Sequence, residues 1–233
     1  MISEPLITLD TVSCRYSLRN GMFRRKSFTA VKDISLTIYR GESLGVIGRN
    51  GAGKSSLLKI LAGIYQPDSG TVTYHTKISV AMISLQAGMD PELPGTTNAI
   101  LSAMLLGFSK QQALSKLQDI IEFAELGEWI YEPVKTYSTG MRARLGFAVS
   151  LQLSPDVILI DEALGVGDQH FKEKSIRAMK SKILSTDHTV VFVSHTIPQV
   201  RELCNRVAWI EHGELKMIDE PRAVIKAYQE ANK

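Results

Sequence analysis

Three short segments of this chain are continuously apolar: residues 44–47 (LGVI), 157–160 (VILI) and 190–193 (VVFV). Each leads straight into polar or glycine-rich residues. GRNGAGKS follows the first, Asp161 and Glu162 follow the second, and Ser194, His195 and Thr196 follow the third. A strand that is apolar on both faces must be covered on both faces, which is the situation of a central strand in a parallel sheet flanked by helices. In open α/β sheets, ligands bind outside the carboxyl ends of such strands. The pattern therefore predicts an α/β fold that collects its chemistry at the carboxyl edge of a sheet.

The rest of the chain fits around that core. Its 233 residues suit one domain with room for a subdomain. Residues 6–13 and 35–39 alternate apolar and polar, as half-buried antiparallel strands do. Residues 87–153 read as a helical insertion. Within it Ser109 and Gln112 have capping-box spacing, and Ala113, Leu114, Leu117, Ile120, Ile121 and Ala124 recur at helical period. Gly127 is placed to end that helix. Residues 99–108 form the most apolar window, short enough for a buried helix, and no stretch approaches the roughly 18 apolar residues of a membrane span. Residues 207–210 and 215–218 around Gly213 read as a hairpin, followed by a short helix from Pro221. The N-terminus lacks the apolar core of a signal peptide. Cys14 and Cys204 lie far apart and outside metal-ligand spacing, which fits a reducing compartment. A net charge of +3 is too small to argue for a nucleic-acid partner. A basic cluster, Arg24, Arg25 and Lys26, lies between Phe23 and Phe28; such runs usually face water.

Each motif carries a specific chemistry. GRNGAGKS lies between a strand and the start of a helix at residues 55–61, the context a phosphate loop requires. Its glycines let successive N–H groups converge on an anion, and the helix N-terminus adds partial positive charge. Lys54 is placed to reach the β- and γ-phosphates and Ser55 to ligate Mg²⁺, with Ser56 beside it. Asp161, at the end of an apolar strand, suits the same Mg²⁺, directly or through water. Glu162, one residue further on, suits a carboxylate that polarises a water for in-line attack. His195 is placed to contact the γ-phosphate and hold that water.

The order GRNGAGKS, Gln86, YSTGM, VILIDE, Asp168 and His195 resembles the nucleotide-binding subunit of an ATP-binding cassette (ABC) transporter over nearly the whole chain. The resemblance implies a P-loop NTPase with a RecA-like core, an antiparallel β subdomain and a helical subdomain. It implies one nucleotide-binding domain over residues 1–233, with the helical subdomain at about 87–153. It also implies nucleotide contacts from Gly48, Asn50, Gly51, Ala52, Gly53, Lys54, Ser55 and Ser56. Tyr16 resembles the aromatic that stacks on adenine. Gln86 resembles the glutamine that senses Mg²⁺ and γ-phosphate and faces the membrane subunit, although its QAGMDPELPG surroundings depart from the usual form. Asp168, in ALGVGD, resembles the aspartate of the loop linking opposed sites. Residues 137–141 resemble the family signature, commonly Leu-Ser-Gly-Gly-Gln, and keep Ser138 and Gly140. That signature contacts ATP on the other protomer, which implies a head-to-tail dimer of two copies enclosing two ATP molecules.

The Tyr-Ser-Thr-Gly-Met form, the PELPG segment, the run FAELGEWIYEPVKTYSTGM and DEALGVGD resemble the ATPases of bacterial surface-polysaccharide exporters, which move O-antigen, capsule or teichoic acid. The resemblance implies ATP and Mg²⁺ as ligands, a transmembrane permease partner and a place at the cytoplasmic face of the inner membrane. It leaves the basic cluster at Arg24–Lys26 as a candidate contact for that partner or a lipid-linked headgroup. Some members carry a C-terminal carbohydrate-binding domain, and none is expected within these residues. Two rival readings remain: an ABC subunit for another cargo, lipid exporter or importer, and a soluble ABC protein of DNA repair or translation. The second usually needs two cassettes or long coiled-coil insertions.

Overall fold

The computed structural model describes residues 4–20, 24–83, 88–161, 168–185 and 188–232; Gln86 and Glu162 lie outside the described residues. In chain order the elements are β1 (Pro5–Asn20), β2 (Arg24–Tyr39), β3 (Ser43–Ile47), α1 (Lys54–Leu61), β4 (Ser69–Tyr74), β5 (Val80–Ile83), α2 (Gly95–Leu105), α3 (Lys110–Ala124), α4 (Thr139–Gln152), β6 (Val157–Ile160), α5 (Gln169–Leu184), β7 (Thr189–Val193), α6 (Ile197–Leu203), β8 (Arg206–Glu211), β9 (Glu214–Asp219) and α7 (Pro221–Ala231). They form two compact units: Met1–Ile78 with Ile183–Lys233, and Ser79–Lys182.

The first unit contains two sheets. β2, β1 and β4 form an antiparallel one, in that order. In β2 Ile34, Leu36 and Ile38 alternate and are buried, as a period of two requires, whereas the alternation expected for residues 6–13 does not hold: register shifts in β1 bury the adjacent Leu6 and Ile7 as well as Leu9 and Val12. In the other sheet β3 runs parallel to β7 on one side and to β8 on the other, and β9 closes the hairpin with β8. Every residue of β3 and β7 is buried, which explains the unbroken apolar runs 44–47 and 190–193 within them.

One ion pair anchors this unit. The Glu42 carboxylate accepts from the Tyr39 N–H at 2.7 Å and lies 3.1 Å from Arg206 Nη1. Burial pushes the Glu42 carboxyl above its usual range, against the pull of the Tyr39 N–H and the Arg206 charge. Truncating one partner of a buried pair leaves the other charge uncompensated, at a cost of about 3–5 kcal/mol. Arg206→Met is therefore expected to lose stability of that order at neutral pH. A carboxyl raised in the folded state adds stability below its unfolded pKa and loses it as pH rises through the folded one. The deficit should thus shrink as pH is lowered toward about 5. Urea denaturation of both proteins across that range measures it.

The second unit holds a parallel pair, β5 and β6, in register from Val80 with Val157 to Ile83 with Ile160. The Asp156 carboxylate fixes that register, accepting from Ser79 N–H at 2.8 Å and Ser79 Oγ at 2.6 Å. Helices α2, α3 and α4 enclose a core that includes Ala99, Ala103, Ile120, Ala124, Tyr137, Leu145 and Ala148. The capping box at Ser109 and Gln112 is present on α3.

Two further expectations are corrected here. Helix α3 does not end on Gly127. It ends on Glu125, which adopts the left-handed conformation (φ 51°), while Gly127 opens a 3₁₀ turn. Glu125 holds this strained backbone while Lys174, from α5, ion-pairs with its side chain at 2.6 Å. Nor is the apolar window at 99–108 wholly buried. Ala99 and Ala103 face the core, whereas Met104 is 44% and Leu105 72% exposed, so α2 presents an apolar face outward.

Candidate nucleotide-binding site

The phosphate loop grows from the buried end of β3. A Cβ at Gly48 would lie 2.0 Å from the Ile210 carbonyl oxygen, and one at Gly53 (φ 103°) 2.0 Å from that of Ala30. Only glycine lets the loop curl so tightly against its own sheet and turn into α1. The loop is pinned by Ala52 N–H to Arg49 O at 3.1 Å and by Gly213 N–H to Ala52 O at 3.0 Å. Gly51 (φ 79°) differs: a Cβ there meets nothing within 4 Å, because this part of the loop faces open space. A cavity of about 440 Å³ adjoins it, lined by Arg49, Asn50, Gly51, Ala52, Glu211 and His212. Lys54 opens α1, is buried, and donates from Nζ to the carbonyls of Gly48 (2.8 Å) and Arg49 (3.1 Å). The lysine therefore sits inside the curve of the loop, its charge held by backbone carbonyls. A strand–glycine loop–helix unit of this build binds phosphate through its N–H groups, the helix N-terminus and the lysine. A triphosphate fits it.

Around the loop, the first unit places further predicted residues. Ser55 is exposed and Ser56 half-buried on the first turn of α1. The Tyr16 hydroxyl donates to Ser56 Oγ at 3.1 Å, so the predicted base platform touches the phosphate-binding helix. Val46 pairs with Val193, and Ser194 N–H bonds Val46 O at 3.4 Å. His195 thus leaves β7 beside the point where Gly48 leaves β3, on strands about 4.8 Å apart. It is exposed there.

The second unit carries the remaining candidates. Asp161 follows β6 directly, at the end where Ile160 pairs with Ile83 of β5. Ser138 caps α4, accepting the Met141 N–H at 3.2 Å. Gly140 lies in the same first turn. Tyr137, where the common signature has leucine, is 2% exposed and donates its hydroxyl to Trp129 O at 2.7 Å. It ties the signature to the helical core. Asp168 sits just ahead of α5, accepting the Phe171 N–H at 3.0 Å and pairing with Arg144 of α4. The Phe171 N–H first, then the Arg144 charge, holds its carboxyl below the usual range. Arg144 also lies 4.9 Å from the Phe171 ring centroid. The sequence reading missed Arg144, because nothing local links residues 24 positions apart. It also missed Tyr65, whose ring meets Tyr16 edge-on.

A glycine loop between a buried strand and a helix N-terminus, with a lysine inside it, defines a P-loop nucleotide-binding protein. The ABC transporter family profile matches residues 31–165, more than half of the chain. The O-antigen export system ATP-binding protein RfbB of Klebsiella pneumoniae is 41% identical over 210 residues, covering 90% of this chain and 85% of the relative. The teichoic acids export ATP-binding protein TagH of Staphylococcus epidermidis is 42% identical over 206 residues, 88% of this chain and 77% of the relative. The ABC transporter protein AbcA of Aeromonas salmonicida is 42% identical over 238 residues, 97% of this chain and 77% of the relative. Among solved structures, a dimeric ATP-binding cassette in a post-hydrolysis state with ADP and Pi has the same fold. Its TM-score is 0.74 at 22% identity, covering 93% of this chain and 99% of that one. The chain belongs to the ABC transporter family.

Proposed function

We propose that this chain is the ATP-binding and ATP-hydrolysing subunit of an ABC transporter that exports a lipid-linked surface polysaccharide of the O-antigen, capsule or teichoic-acid type. The observation that carries the cargo is the agreement among relatives about 40% identical over most of the chain, which are named for O-antigen and teichoic-acid export. The phosphate loop carries the ATPase. Its glycines, Lys54 and the α1 N-terminus bind the triphosphate; Tyr16 stacks on adenine. Mg²⁺ would be held by the hard oxygen donors of Ser55 and Asp161 with Gln86, and supplies neutralising charge on the β- and γ-phosphates. Glu162 polarises the attacking water and His195 holds it in line. Ser138 and Gly140 serve ATP bound to a second copy, and Asp168 sits in the loop between the two sites, so two chains close head to tail over two nucleotides. ATP binding closes that dimer and hydrolysis opens it.

The subunit works at the cytoplasmic face of the bacterial inner membrane, beside a permease that receives the motion. Leu101, Met104 and Leu105, exposed on α2, suit an apolar docking face for that permease. Arg24, Arg25 and Lys26 occupy the far end of the β1–β2 ladder, where Asn20 pairs with Arg24, and suit an anionic headgroup or the permease itself. The test is purification with the membrane partner in lipid, identification of the bound glycolipid, and ATPase assay. A bound polyprenyl or lipid-anchored glycan, with ATPase stimulated by the partner, is the expected result. Replacing Arg24, Arg25 and Lys26 with alanine should weaken that stimulation; unchanged stimulation removes the cluster from this role. Another lipid or a small solute as the bound cargo overturns the polysaccharide assignment.

A further inference from the structure

The adenine platform of the proposed site is held at two points, by Ser56 of α1 and by Tyr65, which is itself fastened to α1. The Tyr16 hydroxyl donates to Ser56 Oγ at 3.1 Å. The Tyr16 ring meets the Tyr65 ring edge to face, with centroids 5.8 Å apart and planes at 73°. Tyr65 is itself fixed to α1: its N–H donates to Lys59 O at 3.1 Å, and Lys59 Nζ lies 5.2 Å from its ring centroid. Ser56 and Lys59 are three residues apart on α1 and so share a face. Tyr65 follows in the turn that leaves the helix.

We propose that Tyr65 is a positioning residue for nucleotide binding: it holds the Tyr16 ring upright over α1, so that base platform and phosphate cradle are presented at a fixed separation. This rests on the reading of Tyr16 as the adenine platform. An aromatic ring is freed to rotate when its edge partner is lost, and a platform that must be ordered by the ligand binds it more weakly. Among the described residues Tyr65 bonds or stacks with the platform Tyr16 and with Lys59 of α1. Its contribution therefore falls on ligands that carry a base and leaves bare phosphate chains unaffected. Lys59 also holds the Tyr65 ring, a cation over an aromatic face.

The experiment measures ATP and inorganic tripolyphosphate binding to the full chain by calorimetry, with steady-state hydrolysis alongside, for Tyr16→Ala, Tyr65→Ala and Tyr65→Phe. Tyr65→Ala is expected to weaken ATP binding and raise KM roughly three- to tenfold, with kcat and tripolyphosphate affinity unchanged. Tyr65→Phe keeps the ring and should behave as the parent. If Tyr16→Ala weakens ATP while Tyr65→Ala does not, the positioning role is overturned and the platform stands. If neither weakens ATP, the adenine reading of Tyr16 falls and takes this role with it. Equal loss of ATP and tripolyphosphate in Tyr65→Ala also overturns it, since Tyr65 would then support the loop itself.

Discussion

Lys54→Ala is expected to lower ATP turnover at least about 10³-fold and to abolish the thermal stabilisation that ATP confers. Two effects combine. Removing one preorganised charge that meets developing charge in a water-poor site costs about 10²–10³ in rate. The structure adds a second cost, because Lys54 Nζ also donates to the carbonyls of Gly48 and Arg49 from inside the loop. Without it those carbonyls lose their partner and the loop loses the cation that draws it around the anion. Phosphate-release kinetics and melting curves with and without ATP give the check. A variant that still hydrolysed ATP at near the parent rate would show that the triphosphate does not sit in this loop.

Glu162→Gln is expected to separate binding from chemistry. The amide keeps the size of the carboxylate but cannot take a proton from water, so kcat should fall by about 10²–10⁴, the range ascribed to a general base. ATP affinity should persist, because the loop, Lys54 and Tyr16 are untouched. In the proposed cycle hydrolysis opens the dimer, so this variant should accumulate as an ATP-bound dimer that sedimentation resolves from the monomer. Normal turnover in Glu162→Gln would remove Glu162 from the role of base.

Much of this was legible in the sequence because the relevant constraints are local. The apolar runs in β3, β6 and β7 announce strands covered on both faces, and the glycines of GRNGAGKS mark a loop pressed against carbonyls of Ala30 and Ile210. The Ser109 capping box was readable for the same reason, since all its partners lie within four residues. What escaped depends on residues distant in sequence. Glu125, not Gly127, ends α3, held by a lysine 49 positions later. The outward face of α2 was hidden because apolar content does not say which side meets solvent. Arg144 and Tyr65 matter through Asp168 and Tyr16, pairings that only the folded chain creates. Gln86 and Glu162 lie outside the described residues, so their roles rest on sequence position and family pattern.

The central claim is that each ATP site is built from two copies of this chain, with Lys54 from one and Ser138 from the other. The direct measurement mixes two inactive variants, Lys54→Ala and Ser138→Arg, and follows ATP hydrolysis. In a head-to-tail pair of unlike chains, one site carries both lesions while the other receives an intact Lys54 and an intact Ser138. Mixing should therefore restore hydrolysis that neither variant shows alone. A mixture that stays as inactive as its separate components would contradict the shared-site account.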